Sequence, residues 1–433
     1  MPLTNQKTTR AFRPRRLFYG WYIVAASVAL NFYLSIVFFQ GFQVFFLPIS
    51  QEFGWSRAAT SGAFSLRQLE SGLLAPLVGF LVDKWGPRIV ILVGVVIGGL
   101  GLVLVSGING LWTFYLAFMV TSVGMSGASH GVSWAVAVAM WFRRLRGRAL
   151  GLAFMGPVVG GPFVVTMALL EEAIGWRTSV LLLGIGLVVV GVPLALIARS
   201  RPEEHGYLPD GELPAAQPGS QPQVARSGSE ALPGLSAGQA LRTRSFWILS
   251  ALFGGQFIGL SGLMVHLVAL LEDVGYSSTE AATLLGLIFV FSGIGRLGAG
   301  VMADTFDRRL VMGGLLVLQV AAVLLLTRIG PSMFLPLGVF ALMLGVGFGG
   351  TIPLRPTLIV DLFGPRALGA IQGLMQGAAV GAGVFGPVMY GWFFDATGSY
   401  EVALYISAAA AAIVAPLALV LKPVPAGSGG PRA

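Results

Sequence analysis

The chain contains no cysteine, and only 10% of its 433 residues carry charge. The first absence excludes disulfides, thiol catalysis and Cys-ligated zinc or iron–sulfur centres. The second excludes a water-soluble globule, because soluble domains carry roughly 25% charged residues to coat their surface. No metal-ligand cluster and no nucleophile–base arrangement is visible, so neither an enzyme nor a cofactor or metal site is expected. What the chain has in quantity is apolar: 55% of it is hydrophobic, and 61 residues are glycine. Small residues at this level fit transmembrane helices whose backbones approach closely.

A helix needs about 20 apolar residues to cross the hydrocarbon. Uncharged runs of that order occur at Leu17–Gln51, Ile89–Ile108, Leu111–Phe142, Ala149–Leu170, Ser179–Ala198, Ser245–Leu271, Leu310–Thr327, Ala367–Phe394 and Val402–Leu421. Three further runs are interrupted by ionisable residues: Ala58–Val82 by Arg67 and Glu70, Ala281–Ala303 by Arg296, and Ile329–Val360 by Arg355. The sequence therefore predicts twelve spans, the first of them too long for a signal-peptide core and read as uncleaved. With the N-terminus inside, 21 of the 27 Lys and Arg fall on the cytoplasmic side and three outside, a positive-inside bias of seven to one. Both termini are expected in the cytoplasm of a cell membrane. The net charge of +9 and the basic arm 1–16 then meet anionic lipid headgroups, with no nucleic-acid partner.

Residues 199–244 change to Pro, Gly, Ser, Gln and charges and read as a flexible linker. The two sides of it repeat each other. Gly79-Phe-Leu-Val-Asp83 matches Gly300-Val-Met-Ala-Asp304, and Glu52-Phe-Gly54-Trp55-Ser56 matches Asp273-Val-Gly275-Tyr276-Ser277, both at an offset of 221. Arg148-Ala-Leu-Gly151 matches Arg366-Ala-Leu-Gly369 at 218. The expected organisation is a six-helix half at 1–198, a linker at 199–244 and a second, parallel six-helix half at 245–433. Such repeats characterise transporters.

On these residues the chain resembles the major facilitator superfamily. Gly79, Asp83, Lys84, Gly86 and Arg88 form a loop similar to its motif A between spans 2 and 3, and Gly300, Asp304 and Arg309 form the degenerate copy between spans 8 and 9. Gly20-Trp21 at the start of span 1, a lone arginine in span 8 and Asp361-Leu-Phe-Gly-Pro-Arg366-Ala-Leu-Gly369 before span 11 resemble the branch of monocarboxylate transporters and oxalate:formate antiporters. The resemblance implies an all-α membrane protein with twelve transmembrane helices in two pseudo-symmetric six-helix halves. It also implies transport of a small organic anion, a monocarboxylate such as lactate or pyruvate, by alternating access with a proton. It assigns Arg296 to the substrate carboxylate. The lysines that monocarboxylate carriers have in span 1 and oxalate:formate antiporters in span 11 are absent, which makes a dianion such as oxalate the poorer match.

Charges at membrane depth cost several kcal/mol unless they meet a partner or water, so each buried one is a functional candidate. Arginine suits a carboxylate because its planar fork donates two parallel hydrogen bonds. Arg296 has the alternative of bonding carbonyls near a helix end. Arg67 and Glu70, three residues apart on span 2, can form a self-neutralising pair, or Glu70 can carry the proton. His130 in span 4 is either a second proton carrier or a packing histidine. His266 can belong to an outer gate or to structure, and His205 lies in the linker. Arg355, between Pro353 and Pro356, reads as an anion contact at a broken helix or as a gate salt bridge. Asn31, Tyr33, Gln40 and Gln43 of span 1, Gln256 of span 7, and Gln372 and Gln376 of span 11 suit a cavity lining. Asp83 and Asp304 are expected to latch the cytoplasmic side, Asp83 at the start of span 11 near Arg366 and Asp304 at the start of span 5 near Arg148. Two other readings stand beside the anion carrier: an exporter of amphipathic compounds, and a non-transporting sensor on the same fold.

Overall fold

The computed structural model describes residues 18–39, 44–55, 57–129, 131–160, 163, 165–211 and 233–421. Ten helices among them are long and apolar enough to cross a membrane. In the first half these are Tyr19–Phe39 (span 1), Pro87–Ser106 (span 3), Leu111–Trp141 (span 4) and Thr166–Ile197, which joins the end of span 5 to span 6. The second half supplies Arg244–Val274 (span 7), Thr283–Thr305 (span 8), Arg308–Leu326 (span 9), Phe334–Phe363 (span 10), Leu368–Thr397 (span 11) and Glu401–Val420 (span 12). The helix Arg57–Trp85 occupies the place of span 2. The short helices Arg146–Ala153 and Gly156–Gly160 precede the joined helix as span 5. The joined helix turns at Gly175, whose φ of 74° is non-helical, and this separates spans 5 and 6. The arrangement is all-α and consistent with the twelve spans expected.

The repeat has a backbone cause. Gly54 (φ 65°) ends the helix Phe46–Phe53 and Gly275 (φ 109°) ends span 7, each as a left-handed C-cap where a side chain would be strained. Ser277 then opens span 8 with a capping box to Glu280. Around the outside, large apolar side chains face away from the protein, with Leu73, Trp112 and Leu335 each more than three-quarters exposed. Water would penalise that surface, and a lipid solvent does not.

The linker is more structured than its composition predicts. Asp210 accepts hydrogen bonds from the amides of Arg143 (3.0 Å), Arg144 (2.6 Å) and Leu145 (3.2 Å) in the 4–5 loop. His205 and Tyr207 lie against Trp141. Residues 199–211 thus belong to the first half. On the other side, the Leu235 amide donates to the Phe363 carbonyl at the end of span 10 (2.8 Å). The arm 1–16, Gln40, Gln43, His130 and linker residues 212–232 lie outside the described residues.

Candidate functional site

The two halves join at the end of the bundle that carries the 2–3, 4–5, 8–9 and 10–11 loops, called here the basic face. Spans 2 and 11 touch backbone to backbone there, because a side chain on Gly79 would run into the Gly369 carbonyl and one on Gly373 into the Ala75 carbonyl. Spans 5 and 8 do the same at Gly147 and Gly300. The two acidic residues of the repeat bind these contacts. Asp83 accepts from the amides of Gly369 (2.8 Å) and Ala370 (2.7 Å) in the first turn of span 11. Asp304 accepts from Gly147 (2.7 Å) and Arg148 (3.0 Å) at the start of span 5, with the Arg148 guanidinium 3.6 Å away. Each carboxylate fills the unpaired amides of a helix N-terminus in the opposite half.

The other residues of the loop motif have local roles. Gly86 (φ 82°) precedes Pro87 at the first position of span 3. Lys84 lies over Phe80 and Trp85. Lys84, Gly86 and Arg366 share a small cavity beside Asp83. Arg88 makes no hydrogen bond or salt bridge among the described residues and acts on His205 only through its charge. Arg309 folds back on its own helix cap, Asp307 (2.6 Å), and on the Leu421 carbonyl (2.8 Å), so it does not cross between the halves.

A third bridge escaped the sequence reading. Asp361 at the end of span 10 takes both carboxylate oxygens to Arg308 (2.5 Å) and lies 3.8 Å from Arg146 of the first half. The signal was available as a single acid facing basic loops, but nothing in the repeat marks it. Asp361→Asn is expected to lower the initial rate of transport by roughly fivefold, consistent with the modest worth of a part-exposed ion pair. Initial uptake rates in proteoliposomes, normalised to inserted protein, check this.

Beyond these contacts lies a cavity of about 340 Å³ walled by both halves. Span 1 contributes Phe38 and Phe39, which sit on a single π-helical turn at Ser35–Phe39. Such turns are frequent at functional sites. Span 2 contributes Arg67, Ser71, Ala75 and Val78, and span 10 contributes Phe348, Ile352 and Arg355. Gln372 and Gln376 enter from span 11. Span 4 is interrupted between the helices Leu111–Ala128 and Ser133–Trp141, and Ser129, Gly131 and Val132 of the interruption face the cavity. The freed carbonyls are re-bonded: Ser133 donates to Gly127 (2.8 Å), Trp134 to Ala128 (3.0 Å), and Gln372 from the other half to Gly131. Non-helical backbone at this depth survives only where protein satisfies it or a cavity wets it.

The two guanidiniums in the lining come from opposite halves. Arg67 lies over the rings of Phe38 (5.5 Å) and Phe39 (5.6 Å). Arg355 lies over Phe253 (5.0 Å) and donates to Gln256 Oε1 (3.3 Å). Gln256 in turn donates to Gln319 (3.1 Å) and Thr351 (3.0 Å), so it orients Arg355 from behind the wall. The Nε–H of each arginine is buried without a hydrogen-bond partner among the described residues, as is Gln372 Oε1.

Several expectations change. Arg67 and Glu70 form no direct salt bridge among the described residues: Glu70 is buried behind the wall, within electrostatic reach of Arg67, and takes hydrogen bonds from Ser122 and, at 3.3 Å, from Ser126. The helix carrying Arg355 is continuous through Pro353 and Pro356, and no salt bridge to Arg355 occurs among the described residues. Arg296 is absent from the lining. It is buried at the contact of spans 5 and 8 and donates across the halves to the Phe154 carbonyl, while Phe154 itself faces the cavity. Asn31 bonds the Ser27 carbonyl (2.8 Å) and Tyr33 bonds the Leu183 carbonyl (2.9 Å), and neither lines the cavity. His266 is held between Tyr400 and the Pro387 carbonyl, away from it.

Two repeated bundles of membrane-length helices, clasped at one face and walling a central cavity, define a polytopic membrane carrier. The comparison with known families gives the same class. The chain belongs to the Major Facilitator Superfamily, whose family model matches residues 21–269 and 254–432. Among relatives, monocarboxylate transporter 13 of Bos taurus is 27% identical over 403 residues, covering 90% of this chain and 86% of its own. The oxalate:formate antiporter of Oxalobacter formigenes is 25% identical over 382 residues, with 84% and 83% covered. Among solved structures, the human organic anion transporter MFSD10 superposes with a TM-score of 0.68 at 14% identity, covering 92% of this chain and 99% of its own. The E. coli fucose:proton symporter FucP gives 0.64 at 17%, covering 94% and 98%. At such identities the structures establish the shared fold.

Proposed function

We propose that this protein is a secondary carrier of small organic anions, that it binds a carboxylate in the central cavity, and that it works by alternating access with a proton. One observation carries the reading: Arg67 and Arg355, from opposite halves, line one cavity in which no lining residue among the described residues is acidic. Guanidiniums at membrane depth are costly, and although Glu70 lies within electrostatic reach of Arg67, a bound carboxylate offsets the cost that remains, above all at Arg355. The names of the relatives, monocarboxylate transporters and an oxalate:formate antiporter, support an anionic cargo. The basic face is taken as cytoplasmic, in a cell membrane, on the positive-inside bias.

In this reading Arg355 and Arg67 hold the carboxylate, and Gln256 positions Arg355. Arg296 acts at the contact between halves: its bond to Phe154 is made while spans 5 and 8 touch, and separation of those spans frees the guanidinium. Asp83 and Asp304 hold the basic face shut and release as it opens. Glu70 is the proton site in this reading: its carboxyl accepts from Ser122 and Ser126, and both serines line the cavity. Its protonation changes the charge beside Arg67.

The test is uptake of radiolabelled lactate and pyruvate into proteoliposomes, with a neutral and a cationic amphiphile alongside. Carboxylate uptake with no transport of the amphiphiles supports the anion carrier, and the reverse supports the exporter. Glu70→Gln is expected to abolish accumulation driven by a pH gradient while carboxylate counterflow continues within about threefold of wild type, as befits loss of a proton-transfer group rather than of a binding group. Equal loss of both would remove Glu70 from the coupling role.

A further inference from the structure

We infer that Asp210 is a positioning residue of the conformational cycle: it holds the 4–5 loop in the form that presents the Gly147 and Arg148 amides to Asp304. The start of the linker thereby sets how firmly spans 5 and 8 shut the basic face. The inference rests on the alternating-access part of the proposed function and is independent of the cargo.

The two halves end the helix before this contact differently. By the repeat offset of 218, residues 143–145 correspond to 361–363, the last helical residues of span 10 (Phe334–Phe363). In the first half the helix Ser133–Trp141 has already stopped. Were it to continue, the Arg143 amide would donate to the Ala139 carbonyl, four residues back. That carbonyl instead accepts from Arg146 Nε (3.1 Å), which also reaches the Phe142 carbonyl (3.0 Å). The amides freed by the break go to Asp210. Arg143 and Arg144 donate to one of its carboxylate oxygens and Leu145 to the other. A linker side chain thus supplies the acceptors that the continuing helix supplies in the second half.

Asp210 and Asp304 act on one short stretch of backbone. Asp210 takes the amides of 143–145, and Asp304 takes those of Gly147 and Arg148 just beyond, in the first turn of the helix Arg146–Ala153. Leu145 is the N-cap of that helix, and its side chain offers no acceptor. Two carboxylates therefore fix the start of span 5, one from its own half and one from the opposite half. The first gives the second a formed helix end to bind. Asp210 is itself held in place. Its φ of 59° is left-handed, a conformation that Asp adopts more readily than most residues but still at a cost. The chain leading to it is pinned to spans 1 and 4. Trp141 Nε1 donates to the Arg199 carbonyl (2.9 Å), Tyr19 donates to the Ile197 carbonyl (3.0 Å), and Tyr207 lies against Phe18 and Trp141.

The experiment reads closure of the basic face without any cargo. Ser71 lines the cavity, so a Ser71→Cys full-length protein in proteoliposomes is labelled with a membrane-impermeant maleimide presented to the basic face. Asp210→Ala is expected to speed labelling by about tenfold, within the range for coupling inside one hydrogen-bonded network. Asp210→Asn keeps an acceptor oxygen without the charge and should fall between wild type and Asp210→Ala, with an unchanged gel-filtration profile that guards against misfolding. In the Asp304→Ala background, Asp210→Ala should add less than about twofold, because the amides it positions have lost their partner. In the Asp83→Ala background it should keep its full effect, since that clasp joins spans 2 and 11. Equal effects of Asp210→Ala in the two backgrounds, or no effect in the wild type, would overturn the inference. If Asp304→Ala and Asp83→Ala speed labelling and the Asp210 variants do not, the clasps stand and this positioning role falls. If the clasp variants leave labelling unchanged as well, the alternating-access reading falls with it.

Discussion

Arg355→Ala is expected to weaken carboxylate binding by two to three orders of magnitude, on the order of 3–4 kcal/mol, the scale for removing one partner of a desolvated, hydrogen-bonded charge pair. The substitution removes the fork that Gln256 orients and leaves a carboxylate in an apolar pocket with a single remaining cation. Arg355→Lys should lose less, since it restores charge without planar geometry. The comparison with Arg296→Ala is informative. Arg296 donates to the Phe154 carbonyl behind the wall, so its loss should slow transport more than it weakens binding. Equilibrium titration of each variant beside initial uptake rates separates the two effects.

A bulky residue at the clasp of spans 2 and 11 should have the second large effect. A side chain at Gly79 has no room against the carbonyl of Gly369, and Gly369 is equally confined by Gly79 and by the Asp83 carboxylate. Gly79→Leu therefore excludes the state in which the basic face is closed, and transport should fall by about a hundredfold or more because overpacking at backbone contact cannot relax through a rotamer change. The protein should still insert and fold, since its other interhelical contacts are untouched. Accessibility gives the reading: a maleimide presented from the basic face should label a cysteine at Ser126 in the Gly79→Leu background far faster than in the wild-type background. The natural absence of cysteine leaves such a probe free of competing thiols.

The sequence made the fold legible because both of its determinants are local. Hydropathy counts the spans, and the repeated Asp83 and Asp304, with Gly54 and Gly275, show that a six-helix unit occurs twice. The contacts of the two aspartates were legible for the same reason, since a repeat predicts which helix start each carboxylate meets. The site was legible in part. Arg67, Arg355, Gln372 and Gln376 stood out as polar residues within apolar runs, and all four face the cavity. Their ranking was not legible. Arg296 drew the weight because it resembles a family position, whereas whether it faces a cavity or a neighbouring helix depends on helix rotation, which hydropathy does not contain. Asn31 and Tyr33 illustrate the same limit, because polar residues that glue helices together have the same sequence signature as those that line a cavity. The π-helical turn at Ser35–Phe39 and the interruption of span 4 at Ser129–Val132 left no mark in composition. The ordered start of the linker was missed because Asp210 is stabilised by the distant amides of Arg143, Arg144 and Leu145 rather than by its neighbours.

The central claim, that an anion docks between the halves on Arg67 and Arg355, is tested most directly by substrate protection at a single thiol. Ser71 lines the cavity on the same helix as Arg67. In the Ser71→Cys protein, carboxylate should slow alkylation by a water-soluble maleimide in a saturable manner, and the protection should vanish when Arg355→Gln is added. Alkylation that carboxylate leaves unchanged, or protection that persists without the Arg355 guanidinium, would contradict the account.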